Sequence, residues 1–352
     1  MANRISNDPR IDPRIKALFG GMTLATGRAP RPNATRDDLV AAANSAEAVQ
    51  SRQALTAFLQ MADTEAVAPS TGLSVTEHTF TSTPDGNTVR VRFIRPDSAD
   101  LLPCVYYIHG GGMQTMSCYD GNYRAWGRIL AAQGIAVAMV DFRNALTPSS
   151  APEVAPFPAG LNDCVSGVKW LVSSAAELRV DARHIIVAGE SGGGNLTLAT
   201  GLKLKQDGDL GLIRGLYALC PYILGQWPDA RSPSSFENNG ILLDLANDIG
   251  RIAYGIDAFE RRDPLAWPGF ATEADVQGLV PVMISVNECD PLRDEGIEFY
   301  RLLLRAGVPA QCRQVMGTIH GSEIFPMTSP DISRETAASI AHFCRTAHQL
   351  VR

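Results

Sequence analysis

The chain has no apolar run long enough to span a bilayer, and its opening, Met1-Ala2-Asn3-Arg4-Ile5-Ser6-Asn7-Asp8-Pro9, carries no apolar signal core. The expectation is a cytoplasmic protein with no membrane partner. Positive charge is also scarce: a formal charge of −6 with 19% charged residues leaves no basic patch. Binding to nucleic acid or anionic lipid therefore has no electrostatic footing. The seven cysteines (104, 118, 164, 220, 289, 312 and 344) are odd in number, scattered and never paired as C-x-x-C. Neither a disulfide framework nor a metal site is indicated, and reduced thiols used as small core side chains are expected. No internal repeat or low-complexity tract is present. Glycine-rich turns exist, but none continues into the Lys-Ser or Lys-Thr of a phosphate-binding loop. The turn at Gly189 fails the G-x-G-x-x-G pattern because Glu190-Ser191 separates its first two glycines.

What is present is apolar sequence in quantity. At 45% apolar over 352 residues, the chain can bury a large core. One apolar strand, Ile185-Ile186-Val187-Ala188, runs straight into Gly189-Glu190-Ser191-Gly192-Gly193 and then into a helical pattern. A serine between glycines at a strand-to-helix turn is what a nucleophile elbow needs: the glycines make room for crowded backbone, and the hydroxyl stands exposed above the sheet. The helix that follows turns free N–H groups and the positive end of its dipole toward whatever Ser191 attacks.

A second motif lies some eighty residues earlier. The strand Leu102-Pro103-Cys104-Val105-Tyr106-Tyr107-Ile108 ends in His109-Gly110-Gly111-Gly112-Met113. Consecutive glycines let backbone N–H groups face a ligand, so Gly111 and Gly112 are the expected partners of the Gly192 amide in an oxyanion hole. His109, at the strand end, is expected to brace that loop rather than to act as a base. A nucleophilic serine needs a base, and the base needs an orienting acid. Of six histidines, His78, His184, His342 and His348 fall in strand or helix patterns, whereas His320 sits in the loop Gly317-Thr318-Ile319-His320-Gly321-Ser322 after the last strand pattern. The acid should lie between serine and histidine. Asp290, in the loop after Val282-Met283-Ile284-Ser285-Val286, is the first choice and Glu288 the reserve, while Asp294 and Glu295 suit the dipole of the next helix.

These segments, with Val140-Asp141-Phe142-Arg143-Asn144-Ala145 and Asp263-Pro264-Leu265-Ala266-Trp267-Pro268, resemble the hormone-sensitive-lipase family of esterases, also called bacterial family IV. The likeness runs through most of the chain. The commoner family elbow is Gly-Asp-Ser-Ala-Gly, so Glu190 and Gly192 depart from it, and the usual Tyr-Arg-Leu-Ala-Pro-Glu segment is altered to Phe142-Arg143-Asn144-Ala145-Leu146. The resemblance implies an α/β-hydrolase fold, a serine carboxylesterase acting on esters of short to medium acyl chains, including lactones, and neither metal nor cofactor. Dimers are common in the family, which leaves a homodimer open. The same triad serves amidases and peptidases. The fold also supports non-catalytic small-molecule receptors, although those lack the histidine that is present here as His320.

The organisation follows from periodicity. Residues 1–70 mix Pro-rich turns (Asp12-Pro13, Ala29-Pro30-Arg31-Pro32) with helical patterns near 36–46 and 47–62, the second with Leu55, Phe58 and Leu59 on one stripe. A hairpin is expected near 73–81 and 87–95, followed by strands near 103–108, 135–141, 184–189, 215–219, 282–287 and 310–316 alternating with helices. That alternation calls for a mostly parallel eight-stranded sheet with helices on both faces. Residues 71–221 and 276–352 form the expected core, and residues 1–70 with the insertion 222–275 a helical cap. The insertion's Tyr222, Trp227, Phe236, Tyr254 and Trp267 are candidates to line the pocket.

Overall fold

The computed structural model describes residues 4–21 and 33–350, so the Ala29-Pro30-Arg31-Pro32 turn lies outside the described residues. Eight strands form one sheet: β1 Leu73–Thr81, β2 Thr88–Pro96, β3 Leu102–Ile108, β4 Ala136–Asp141, β5 Val180–Glu190, β6 Gly215–Leu219, β7 Val282–Asn287 and β8 Ala310–Val315. Their order across the sheet is β1-β2-β4-β3-β5-β6-β7-β8. The hairpin β1–β2 and the β2–β4 pair are antiparallel, and the remaining neighbours are parallel.

The central strands β3, β4 and β6 consist mostly of continuous apolar runs, the signature of strands covered on both faces. The helices are α1 Arg4–Asn7, α2 Pro13–Phe19, α3 Arg36–Ala43, α4 Ala46–Gln60, α5 Gly121–Ala131, α6 Ala159–Ser173, α7 Gly192–Asp207, α8 Ser234–Glu237, α9 Ile249–Glu260, α10 Glu273–Val276, α11 Arg293–Arg305 and α12 Pro330–Thr346. One face of the sheet buries Leu161 and Val168 of α6, Leu196 and Leu202 of α7 and Phe299 of α11. The other buries Trp126 and Leu130 of α5 with Ile340 and Phe343 of α12. A third cluster joins Ile5, Ile15 and Phe19 to Ile241, Cys289 and Ile319.

The parallel register brings the candidate site together. Ile108 pairs with Gly189, Glu190 with Leu219, and Asn287 with Val315. The loops that leave β3, β5, β6, β7 and β8 therefore emerge side by side at the carboxyl ends of the strands, where ligands bind in open α/β sheets.

Two points of packing that the sequence left open are decided by the structure. Leu55 does not join the buried stripe of α4: it is 43% exposed, while Leu59 is buried. Of the insertion's aromatics, Trp227, Tyr254 and Trp267 are buried against one another and Tyr222, and Phe236 is 56% exposed. Tyr222 and Trp227 stack with centroids 4.4 Å apart. Stacked and edge-on pairs of this kind are ordinary core packing, and only Tyr222 reaches the cavity described below.

Candidate active site

Ser191 sits between β5 and α7 with φ 57° and ψ −119°, a left-handed backbone that a non-glycine residue adopts only when its surroundings impose it. The imposition is visible on both sides. The Ser191 amide donates to the Leu219 carbonyl at 3.0 Å, and the Ser191 carbonyl accepts from Asn195 N at 3.0 Å and Tyr222 N at 3.1 Å. Gly189 has no space for a side chain, because a Cβ there would stand 2.5 Å from the Ile108 carbonyl oxygen. Gly193 is crowded in the same way by Ile108 and His109.

The glycine loop after β3 lies against this elbow. Gly111 and Gly112 take φ +90° and +64°, values open to glycine without steric cost. A Cβ on Gly192 would come within 2.5 Å of Met113 N and 2.7 Å of Gly112 N, so the loop backbone packs directly on the start of α7. His109 is fully buried, with Nδ1 3.0 Å from the Gly110 carbonyl oxygen and its ring stacked on Phe142 at 4.4 Å. Burial outweighs Asp141 and holds its pKa below the ordinary 6.5, which fits a neutral bracing ring.

Sequence reasoning missed what ties the two loops together. The Glu190 carboxylate is buried and accepts hydrogen bonds from the Tyr107 hydroxyl at 2.5 Å, the Tyr123 hydroxyl at 2.5 Å and Gly110 N at 2.6 Å. Burial nevertheless pushes its pKa up to about 7, against the pull of those three donors. A signal was available: an acid ending an otherwise apolar strand must find donors inside, and Tyr107 and Tyr123 carry them.

Asp290 and His320 meet. Asp290 is fully buried, and its Oδ2 lies 2.7 Å from His320 Nδ1, while Oδ1 accepts from Leu292 N at 2.9 Å. Burial works against a charged imidazole, but the Asp290 carboxylate overrides it, Cys220 adds in the same direction, and the His320 pKa stands well above 6.5. Cys220, Asp290 and His320 bring their ligand-type atoms within 4.8 Å of one another. Within that set Asp290 and His320 Nδ1 satisfy each other. The other acids have different work. Glu288 accepts from Gly317 N at 2.7 Å, and Asp294 accepts from Ser234 N at 2.7 Å while pairing with Arg293. Glu295, expected to complement a helix dipole, is buried instead and accepts from Ile223 N at 2.7 Å and Trp227 Nε1 at 2.5 Å. The remaining histidines stay apart: His78 contacts Thr76, His184 contacts Asp181, and His342 and His348 are exposed.

Ser191, His320, Gly111 and Gly112 line one cavity of ≈ 360 Å³, to which the insertion contributes Leu243, Leu245 and Ile249. No helix among the described residues is long and apolar enough to cross a membrane.

A serine in left-handed backbone, a glycine loop against it and a buried Asp–His pair on one edge of a mostly parallel sheet define a hydrolase of the α/β type. The alpha/beta hydrolase fold family matches residues 105–324, and the chain belongs to it, as one of its esterases related to hormone-sensitive lipase. The structure of esterase Est22 superposes with a TM-score of 0.95 at 67% identity, covering 97% of this chain and 99% of that one. Brefeldin A esterase, a bacterial homologue of human hormone-sensitive lipase, superposes with a TM-score of 0.85 at 35% identity over 98% of this chain and 96% of its own. Carboxylesterase NlhH of Mycobacterium tuberculosis is 31% identical over 258 residues, 72% of this chain and 76% of that protein.

Proposed function

We propose that the protein hydrolyses carboxylic esters of short to medium acyl chains, lactones among them, with Ser191 as nucleophile, His320 as base and Asp290 as orienting acid. The observation that carries this reading is the buried 2.7 Å contact between Asp290 and His320 Nδ1, in a cavity that Ser191 shares. An Nδ1–H held by Asp290 leaves Nε2 free to take the Ser191 proton as Oγ attacks the ester carbonyl. The resulting oxyanion is received by the N–H groups of Gly111, Gly112 and Gly192, which are fixed before the charge develops. Collapse of the intermediate expels the alcohol, protonated by His320, and a water molecule activated by the same ring releases the acid.

The cavity volume, at the small end of the range for ligand sites, favours modest substrates. Residues 1–70 and 222–275 act together as the cap in this reading: α3 packs on α9, and the insertion supplies the apolar wall facing Ser191.

The test is hydrolysis of p-nitrophenyl esters beside matched amides and lactones, with wild type and Ser191→Ala. The triad acts as a unit, so the substitution should cost on the order of 10⁶ in kcat. A folded Ser191→Ala protein retaining activity within about tenfold of wild type would remove Ser191 from the mechanism.

A further inference from the structure

The cavity above Ser191 has a neighbour. A second cavity of ≈ 630 Å³ lies between α4 and the segment that follows the glycine loop, with Val49, Leu55 and Leu59 beside the polar Arg52, Gln53 and Gln60 on its helical side. The wall between the two is a stretch of four residues whose side chains divide: Gln114 faces only the Ser191 cavity, Thr115 and Ser117 only the second, and Met116 lines both.

The backbone of that wall does not depend on the Met116 side chain. Asn144 Nδ2 donates to the Met116 carbonyl at 2.7 Å, and the Ser117 hydroxyl donates to Asp141 at 2.7 Å. The thioether itself makes only a long contact, 4.0 Å from the Tyr123 hydroxyl. Met116 is thus an unbranched side chain, held mainly by packing, on the border that the two cavities share. The exposure of Leu55 acquires a meaning here, since with Leu59 it gives the second cavity an apolar wall.

We propose that Met116 sets the chain-length limit of the substrate by closing the Ser191 cavity toward the cavity under α4, a proposal that rests on the esterase reading above. The occupant of the second cavity, once opened, is the distal end of an aliphatic ester chain. Apolar surface on the α4 side recognises methylenes, and each methylene gained in an apolar pocket is worth roughly tenfold or more in kcat/KM.

The experiment measures kcat/KM for two series: p-nitrophenyl esters of acyl chains from acetate to dodecanoate, and acetates of alcohols of the same lengths. It compares wild type, Met116→Ala and Met116→Gly. Both variants are needed because Met116 has φ +76°, which glycine adopts freely, so a fold lost in the alanine variant is recovered in the glycine one. In one of the two series the longest esters should gain on acetate by about tenfold or more. Thr56→Trp, which fills the second cavity from α4, should cancel that gain in the Met116 variants and leave the wild-type profile in place.

An unchanged length profile in both series for both variants overturns the proposal, and so does a gain that Thr56→Trp leaves intact. Failure of the esterase reading is distinguishable, because then wild type would show no Ser191-dependent hydrolysis of the shortest ester at all.

Discussion

Replacing Asp290 by asparagine should change how His320 holds its proton, and the structure fixes the way it does so. Asp290 Oδ1 accepts from Leu292 N at 2.9 Å, so in Asp290→Asn the amide oxygen stays with Leu292 and the NH₂ group turns toward His320 Nδ1. A donor facing Nδ1 requires that nitrogen to be the acceptor, which moves the ring proton to Nε2, where it blocks uptake of the Ser191 proton. The wrong tautomer should lower kcat on the order of 10⁴, or about 5 kcal/mol of barrier, with KM nearly unchanged. The pH profile adds a second reading. With His320 as the base, activity would need its neutral form; its pKa lies well above 6.5 in the wild type because Asp290 overrides burial, so kcat/KM should rise through a limb above pH 6.5. Without the carboxylate, burial favours the neutral ring and the limb should move down. Stopped-flow and steady-state rates from pH 5 to 10 on wild type, Asp290→Asn, Glu288→Gln and Asp294→Asn decide the matter. The last two remove only a charge and leave an amide oxygen to accept from Gly317 N and Ser234 N, so they should cost far less. A larger loss in either of them, or a limb that stays in place in Asp290→Asn, refutes the assignment.

Gly192→Ala places a Cβ against backbone at Met113 and Gly112, which cannot yield as a side chain could. If these amides hold the oxyanion, kcat should fall on the order of 10²-fold with little change in KM, and an unaltered kcat would detach the loop's position from catalysis. For Glu190, burial raises the folded-state pKa to about 7 from 4.5, so keeping it ionised is a penalty that sets in as pH rises through that window. Thermal denaturation should therefore show Glu190→Gln gaining on wild type between pH 5 and pH 8, by up to about 3 kcal/mol, whereas a difference independent of pH contradicts a raised pKa.

Central strands were legible because burial on two faces writes an apolar run, the edge strands β1, β2 and β8 by alternation and turn residues, and all eight came within a few residues of their expected limits. Ser191, Asp290 and His320 were legible for a related reason: each lies in the loop that leaves the carboxyl end of a strand, in an order that the parallel register converts into proximity. Residues whose role depends on a partner far along the chain were not legible. Glu295 reads as a first-turn acid from its position in α11, yet its carboxylate holds the backbone at Ile223 and the indole of Trp227. Leu55 obeys the helical stripe but faces a cavity rather than a core. Periodicity reports which face of a helix is apolar and is silent on what that face meets.

The N-terminal segment illustrates the same limit at larger scale. Sequence alone makes residues 1–70 an addition to the sheet, a cover whose removal would leave the strand ends intact. In the structure the segment reaches the loops that carry the acid and the base. Asp12 N donates to the Gly317 carbonyl at 2.8 Å, three residues before His320. Arg10 donates to the Asn238 side chain at 3.0 Å, and Asn238 donates in turn to the Asp290 carbonyl at 3.1 Å. Ile5 and Ile15 bury themselves with Cys289 and Ile319, the neighbours of Asp290 and His320. Loops at a sheet edge lack the ladder that fixes the strands, so their order must come from such contacts. The first helices therefore pack on the loops that carry Asp290 and His320, and their loss should disturb that pair and not only a cover over the cavity.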